Sequence, residues 1–163
     1  MEAVKHFFFI GIAGTGMSAV AQYLRGIGNV VSGSDRLFNA QGKIQFQVQL
    51  EQLGIRCFLQ DTSGIAPGID VVVVSSAIEE SNTELQKAHS LGIPVMKRAE
   101  LLSAISARKR TVAVGGTSGK STTAAMIFHI MQECGLEPSI MSGAGLIGLQ
   151  KRGLPGNAWK PLL

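Results

Sequence analysis

Short apolar runs alternate along this chain with stretches whose apolar residues recur every three or four positions. The run HFFFI, His6 to Ile10, predicts a buried strand. Met17, Val20, Ala21 and Leu24 then share one helical face, and Gly26 and Gly28 end that helix. NVVSGSD predicts a second strand. The segment from Gln45 to Leu53 fits both periods, but Phe46, Leu50 and Leu53, followed by Gly54, favour a helix. IRCF predicts a third strand. DVVVVSS, Asp70 to Ser76, is β-branched throughout and predicts a strand buried on both faces. Ser81 with Glu84 forms the expected capping box of a helix running to Leu91 and closed by Gly92. IPVM predicts another strand, and Arg98 to Ser106 another helix. Strands alternating with helices predict an α/β fold, a Rossmann-like doubly wound parallel sheet.

The basic stretch ARKR, 107–110, interrupts this pattern. Its charge suits a linker and a solvated helix end equally. The pattern then restarts with a strand TVAV, a glycine loop, a helix from about Ser121 to Cys134, and a strand PSIM. We therefore expect two units, 1–106 and 107–163, the second opening a further domain with one strand–loop–helix element. The stretch beginning SGAGLIG at Ser142 is rich in Gly and Pro and shows no period.

With 45% hydrophobic and 16% charged residues, the chain can bury a sizeable core. No apolar run approaches the roughly 18 residues of a membrane span, and the apolar start breaks into a glycine loop too early for a secretory signal. A net charge of +4 is small enough for phosphate-binding loops to account for it. No basic stripe interleaved with aromatics points to nucleic acid. Cys57 and Cys134 form no CxxC pair and fit reduced thiols in the cytoplasm. His6, His89 and His129 lack metal-ligand spacing.

Two loops suit phosphate. In FIGIAGTGMSA, Gly14, Gly16 and Ala19 fit G-x-G-x-x-[G/A] between a strand and a helix. Glycines let the backbone turn sharply and let a diphosphate approach the N–H groups, and the helix N-terminus adds positive charge. Asp35, at the end of the second strand, is placed to accept from ribose hydroxyls. The pattern alone suits a dinucleotide and a nucleotide sugar alike.

The second loop is VAVGGTSGKSTT, Val112 to Thr123. The usual phosphate-loop pattern places glycine six positions before the lysine, where this chain has Val114. The functional parts remain in Gly116, Thr117, Ser118, Gly119, Lys120, Ser121 and Thr122. The glycines free the backbone to wrap a phosphate, Lys120 can reach the β and γ phosphates of ATP, and the Ser121 hydroxyl can hold Mg2+.

These loops, with SGSD, VVVSSAI, Asn82 and GIPVMKRAELL between them, resemble the Mur ligase family, closest to its alanine-adding and tripeptide-adding branches. That family's shortened loop, G-T-x-G-K-[ST]-T, accounts for the displaced glycine. The resemblance implies an ATP-dependent ligase of peptidoglycan synthesis or recycling. Such an enzyme phosphorylates the carboxylate of a UDP-N-acetylmuramate-type substrate, and an amine then attacks the acyl phosphate. It places Gly14, Thr15, Gly16, Met17 and Ser18 at the UDP diphosphate, Ser34 and Asp35 at the ribose or uracil, and Ser75, Ser76 and Ala77 along the same crevice. It makes Lys120 the catalytic cation on the transferring phosphoryl group and Ser121 a magnesium ligand. Arg98 and Glu100 match the family without a chemistry of their own.

Ala13 stands where the family's first loop commonly has glycine, and Ser118 where histidine or asparagine is usual. The resemblance also implies an N-terminal piece of a longer ligase, which binds a nucleotide sugar without turning over. The residues taken alone leave room for a nicotinamide-dependent oxidoreductase module, a non-catalytic nucleotide-binding module, or a phosphate-loop protein in which ATP binding alone matters.

Overall fold

The computed structural model describes residues 3–142. Five strands form one parallel sheet: β1 (His6–Ile10), β2 (Val30–Asp35), β3 (Arg56–Leu59), β4 (Val71–Val74) and β5 (Val95–Lys97), in the order β3-β2-β1-β4-β5. The helices are α1 (Thr15–Gly26), α2 (Gln45–Gln52), α3 (Thr83–Ser90), α4 (Arg98–Ser106) and α5 (Lys120–Glu133).

The continuous apolar runs end up in the middle of the sheet because both of its faces are covered. Phe7 and Phe9 of β1 pack with Val31, Val73, the apolar face of α1, Leu50 and Leu101. Phe8 and Ile10 point the other way and pack with Val72, Val74, Leu85, Ala88, Ile65 and Ile69. Alternation within a run thus feeds two cores, with α1 and α4 against one and α3 against the other. Gly64 sits where a β-carbon would lie 2.6 Å from the Phe8 ring, so the β3–β4 connection passes hard against the second core.

Three expectations are corrected. Asn82, not Ser81, caps α3: its side chain accepts from Glu84 N at 3.0 Å and Leu85 N at 3.1 Å. Glu84 does not reach back to a cap, because its side chain is fully buried and accepts from Ser34 Oγ instead. TVAV forms no strand and is largely exposed, and PSIM forms none either. A strand needs a neighbouring strand for its N–H and C=O groups, and neither segment has one among the described residues. Around α5 the packing is thin, with Phe128 and Ile140 buried against each other beside Ala124, while Met126, Ile130 and Leu136 are exposed. The stretch from Gly143 onward lies outside the described residues.

Candidate functional site

In this sheet the chain leaves β1 for β2 on one side and later returns to pair β4 on the other. The carboxyl end of β1 is therefore the topological switch point, where a crevice opens between connections that diverge.

The loop that follows β1 is held from below. Gly11 takes a φ of +81°, which glycine adopts without strain. Gly11 N and Ile12 N both donate to Ser34 O, at 2.9 and 3.0 Å. Ile12 then folds directly over Gly33 of β2. A β-carbon at Gly33 would lie 2.6 Å from Phe9 O and 2.8 Å from Ile12 Cδ1, so this close approach requires glycine there. The Asp35 carboxylate ties the loop to the next connection, accepting from Ala13 N at 2.8 Å and Leu37 N at 3.0 Å.

Helix α1 starts from this loop with Gly14 as N-cap and no acidic residue in its first turn. Gly14 and Thr15 are exposed, and the leading N–H groups of a helix have no intrahelical acceptor. The turn after β4 borders the same loop: Ile78 Cδ1 would lie 3.8 Å from a β-carbon on Gly11. Ser75, Ser76 and Ala77 form that turn, with Ser75 Oγ accepting from Ala77 N at 3.3 Å. On the far side of the crevice stands Arg98, the first residue of α4. A β-carbon at Gly16 would lie 3.3 Å from Arg98 Nη1, 3.4 Å from Cζ and 3.5 Å from Nε. Glu100 sets that position by capping α4, its Oε2 accepting from Lys97 N at 3.0 Å.

The fold thus brings Gly14, Thr15, Gly16, Ser75, Ser76 and Ala77 around one opening. It turns other expected contacts away. Met17 lies in the core, 3% exposed, and the buried Ser18 hydroxyl donates to Thr15 O at 3.1 Å. The Ser34 side chain is fully buried and donates to Glu84 Oε2 beneath the sheet's carboxyl edge. A motif gives positions, but the twist of α1 and the pleat of β2 decide which side chains point inward. Asp35 is buried, and its two backbone donors make it the fastener of the loop.

Among the described residues Glu84 is the one acid with no exposed surface, and its Oε1 lacks a hydrogen-bond partner there. Burial pushes its carboxyl above the ordinary range, against the lowering pull of the Ser34 hydrogen bond. Its role was invisible in the sequence, where it read as a capping acid. The steric demand at Gly33 was also missed, since it comes from Phe9 and Ile12, remote in the chain, and Arg98 was noted in the sequence without its approach to Gly16.

The second glycine loop is open. Gly116 and Gly119 adopt φ of +142° and +75°, and Gly119 is the N-cap of α5. Lys120 curls back onto its own loop, Nζ donating to Gly116 O at 2.5 Å and Thr117 O at 3.1 Å. Space is free around Gly115 and Gly119, where a β-carbon would meet nothing within 4 Å. A lysine bent over a glycine turn at a helix N-terminus fits a phosphate group. For Mg2+ the loop offers the exposed Ser121 hydroxyl, and the described residues contain no cluster of three or more His, Cys, Asp or Glu side chains that could hold a metal.

The family model described as Mur ligase family, catalytic domain, matches residues 6–110. This chain belongs to the Mur ligase family. It is 38% identical over 160 residues to UDP-N-acetylmuramate–L-alanine ligase of Xanthomonas campestris pv. campestris (strain B100), an alignment covering 98% of this chain and 32% of that relative. The same-named ligase of Dichelobacter nodosus (strain VCS1703A) is 38% identical over 143 residues, 88% of this chain and 29% of that relative. The chain therefore spans about a third of the length of the curated Mur ligases it matches. Its fold superposes on UDP-N-acetylmuramate-alanine ligase MurC from Thermotoga maritima with a TM-score of 0.79 at 28% identity, covering 91% of this chain and 34% of that one. UDP-N-acetylmuramate:L-alanyl-gamma-D-glutamyl-meso-diaminopimelate ligase (MPL) from Neisseria meningitides gives a TM-score of 0.77 at 29% identity over 88% of this chain and 44% of that one. Both kinds of Mur ligase anticipated from the motifs are among these relatives. No helix among the described residues is long and apolar enough to cross a membrane.

Proposed function

We propose that this chain carries the nucleotide-sugar-binding unit and the ATP-phosphate loop of a Mur-type ligase. The reaction is the ATP-dependent joining of an amino acid or peptide to a UDP-N-acetylmuramate-type substrate in the cytoplasm. The observation that carries this reading is the pinned glycine loop at the switch point, which presents the exposed start of α1 to an anion. Residues 1–106 form the substrate-binding unit, with the diphosphate at the backbone of Gly14, Thr15 and Gly16, and the Ser75–Ala77 turn beside it. Residues 107–163 open the ATP-binding unit. Gly116, Thr117, Ser118, Gly119, Lys120, Ser121 and Thr122 hold the ATP phosphates, and Ser121 holds Mg2+. Bound ATP supplies the phosphoryl group that activates the substrate carboxylate. Lys120 must then release its loop carbonyls and turn toward the phosphates.

Calorimetric titration with UDP-N-acetylmuramate, NAD and Mg·ATP tests the reading. Saturable binding of the UDP-sugar and of Mg·ATP, with none for NAD, is the expected result. NAD binding without UDP-sugar binding would replace the ligase reading by a nicotinamide-dependent module.

A further inference from the structure

The placement of Arg98 brings a cation to the crevice. Its guanidinium lies beside Gly16 in the first turn of α1, and its own backbone opens α4. Helix N-termini carry partial positive charge, and a cation there is unfavourable. Two such termini and one guanidinium therefore converge on the same crevice. The first turn of α1 holds no acid, Glu100 of α4 is engaged by Lys97 N, and the buried Asp35 carboxylate under the loop is engaged by Ala13 N and Leu37 N. Arg98 itself makes no hydrogen bond or ion pair among the described residues.

We propose that Arg98 is the clamp of the diphosphate: it closes over a nucleoside diphosphate from the β5–α4 side while the N–H groups of α1 hold it from the β1 side. This inference rests on the nucleotide-sugar reading of the crevice and adds a specificity residue to it. A guanidinium offers paired donors to phosphate oxygens at both ends of a diphosphate, which an ammonium does not. Gly16 has a second use in consequence. Its missing side chain leaves room for the guanidinium as well as for the phosphate, since a β-carbon would press on Nη1 at 3.3 Å. Capping by Glu100 fixes the turn from which Arg98 projects.

The test compares UDP with uridine, which lacks the diphosphate, on the unmodified chain and on Arg98→Ala and Arg98→Lys. The clamp predicts that Arg98→Ala weakens UDP binding about 10- to 100-fold, the range of charge-assisted hydrogen bonds, and leaves uridine binding within about twofold. Arg98→Lys, which keeps the charge and loses the fork, should fall between the two. The salt dependence of UDP binding should also be shallower in Arg98→Ala. If the unmodified chain prefers UDP to uridine and Arg98→Ala keeps the same preference, the clamp is overturned while the nucleotide site stands. If the unmodified chain shows no preference for UDP, the nucleotide-sugar reading falls and the clamp falls with it.

Discussion

The loop from Gly11 to Gly14 rests on two buried strands, whereas the loop from Gly116 to Gly119 rests on one largely exposed helix. Both are glycine turns that open a helix, and both suit phosphate. The first is fastened by Ser34 O, by the Asp35 carboxylate and by the absence of a side chain at Gly33. The described hydrogen bonds of the second stay within itself and α5. What differs is the number of independent groups that hold the shape. A phosphate loop supported by a finished sheet keeps its form through the stability of the sheet. A loop supported by its own lysine has only local interactions to keep it.

The same substitution placed in each region sharpens this contrast most. Gly33→Ala would press a methyl group onto Phe9 O and Ile12, and should lower unfolding free energy by about 3 kcal/mol in urea titration. Gly115→Ala meets open space and should change it by no more than about 0.5 kcal/mol. Equal effects at the two positions would break the comparison. Next in size is Asp35→Ala, which leaves the N–H groups of Ala13 and Leu37 without their acceptor. It should cost about 2 kcal/mol in the same titration and weaken UDP-sugar binding together with stability.

A smaller effect concerns Glu84. Its carboxyl is raised above the ordinary 4.5 by burial. The unfolded chain therefore gives up this proton at lower pH than the folded one. The stability contributed by the protonated form is complete below pH 4.5 and is lost as pH rises through the folded value. Melting temperature measured across that window should show this decline, and Glu84→Gln should flatten it. A decline that persists unchanged in Glu84→Gln would assign it to other groups. Lys120→Ala should change stability as little as Gly115→Ala, within about 0.5 kcal/mol, because the side chain is exposed. The stabilisation by Mg·ATP should nevertheless disappear in that variant.

The central strands were legible because Phe7 to Ile10 and Val71 to Val74 are apolar without interruption, which suits a sheet covered on both faces. The end of α3 was less so: Ser81 and Asn82 are both good caps, and only the burial of Glu84 decides between them. TVAV has a strand's residues and lacks a strand's neighbour, a condition that no local pattern contains. At the site, Gly14 and Gly16 came from spacing, and Thr15, Met17, Ser18 and Ser34 from the family resemblance; Thr15 is exposed at the opening, whereas Met17, Ser18 and Ser34 are buried. Arg98 stood in the family-like stretch GIPVMKRAELL, but its approach to Gly16 was not legible, because the sheet order β1-β4-β5 brings the two together from distant parts of the chain.

The double acceptance at Ser34 O, with Asp35 beside it, bears on how binding energy divides between ligand and protein. Ordering a loose loop would cost about 1–2 kcal/mol of entropy for each residue fixed. Here Gly11, Ile12 and Ala13 are already fixed by folding. The entropy lost on association then falls on the ligand and its water, and little of it on the loop.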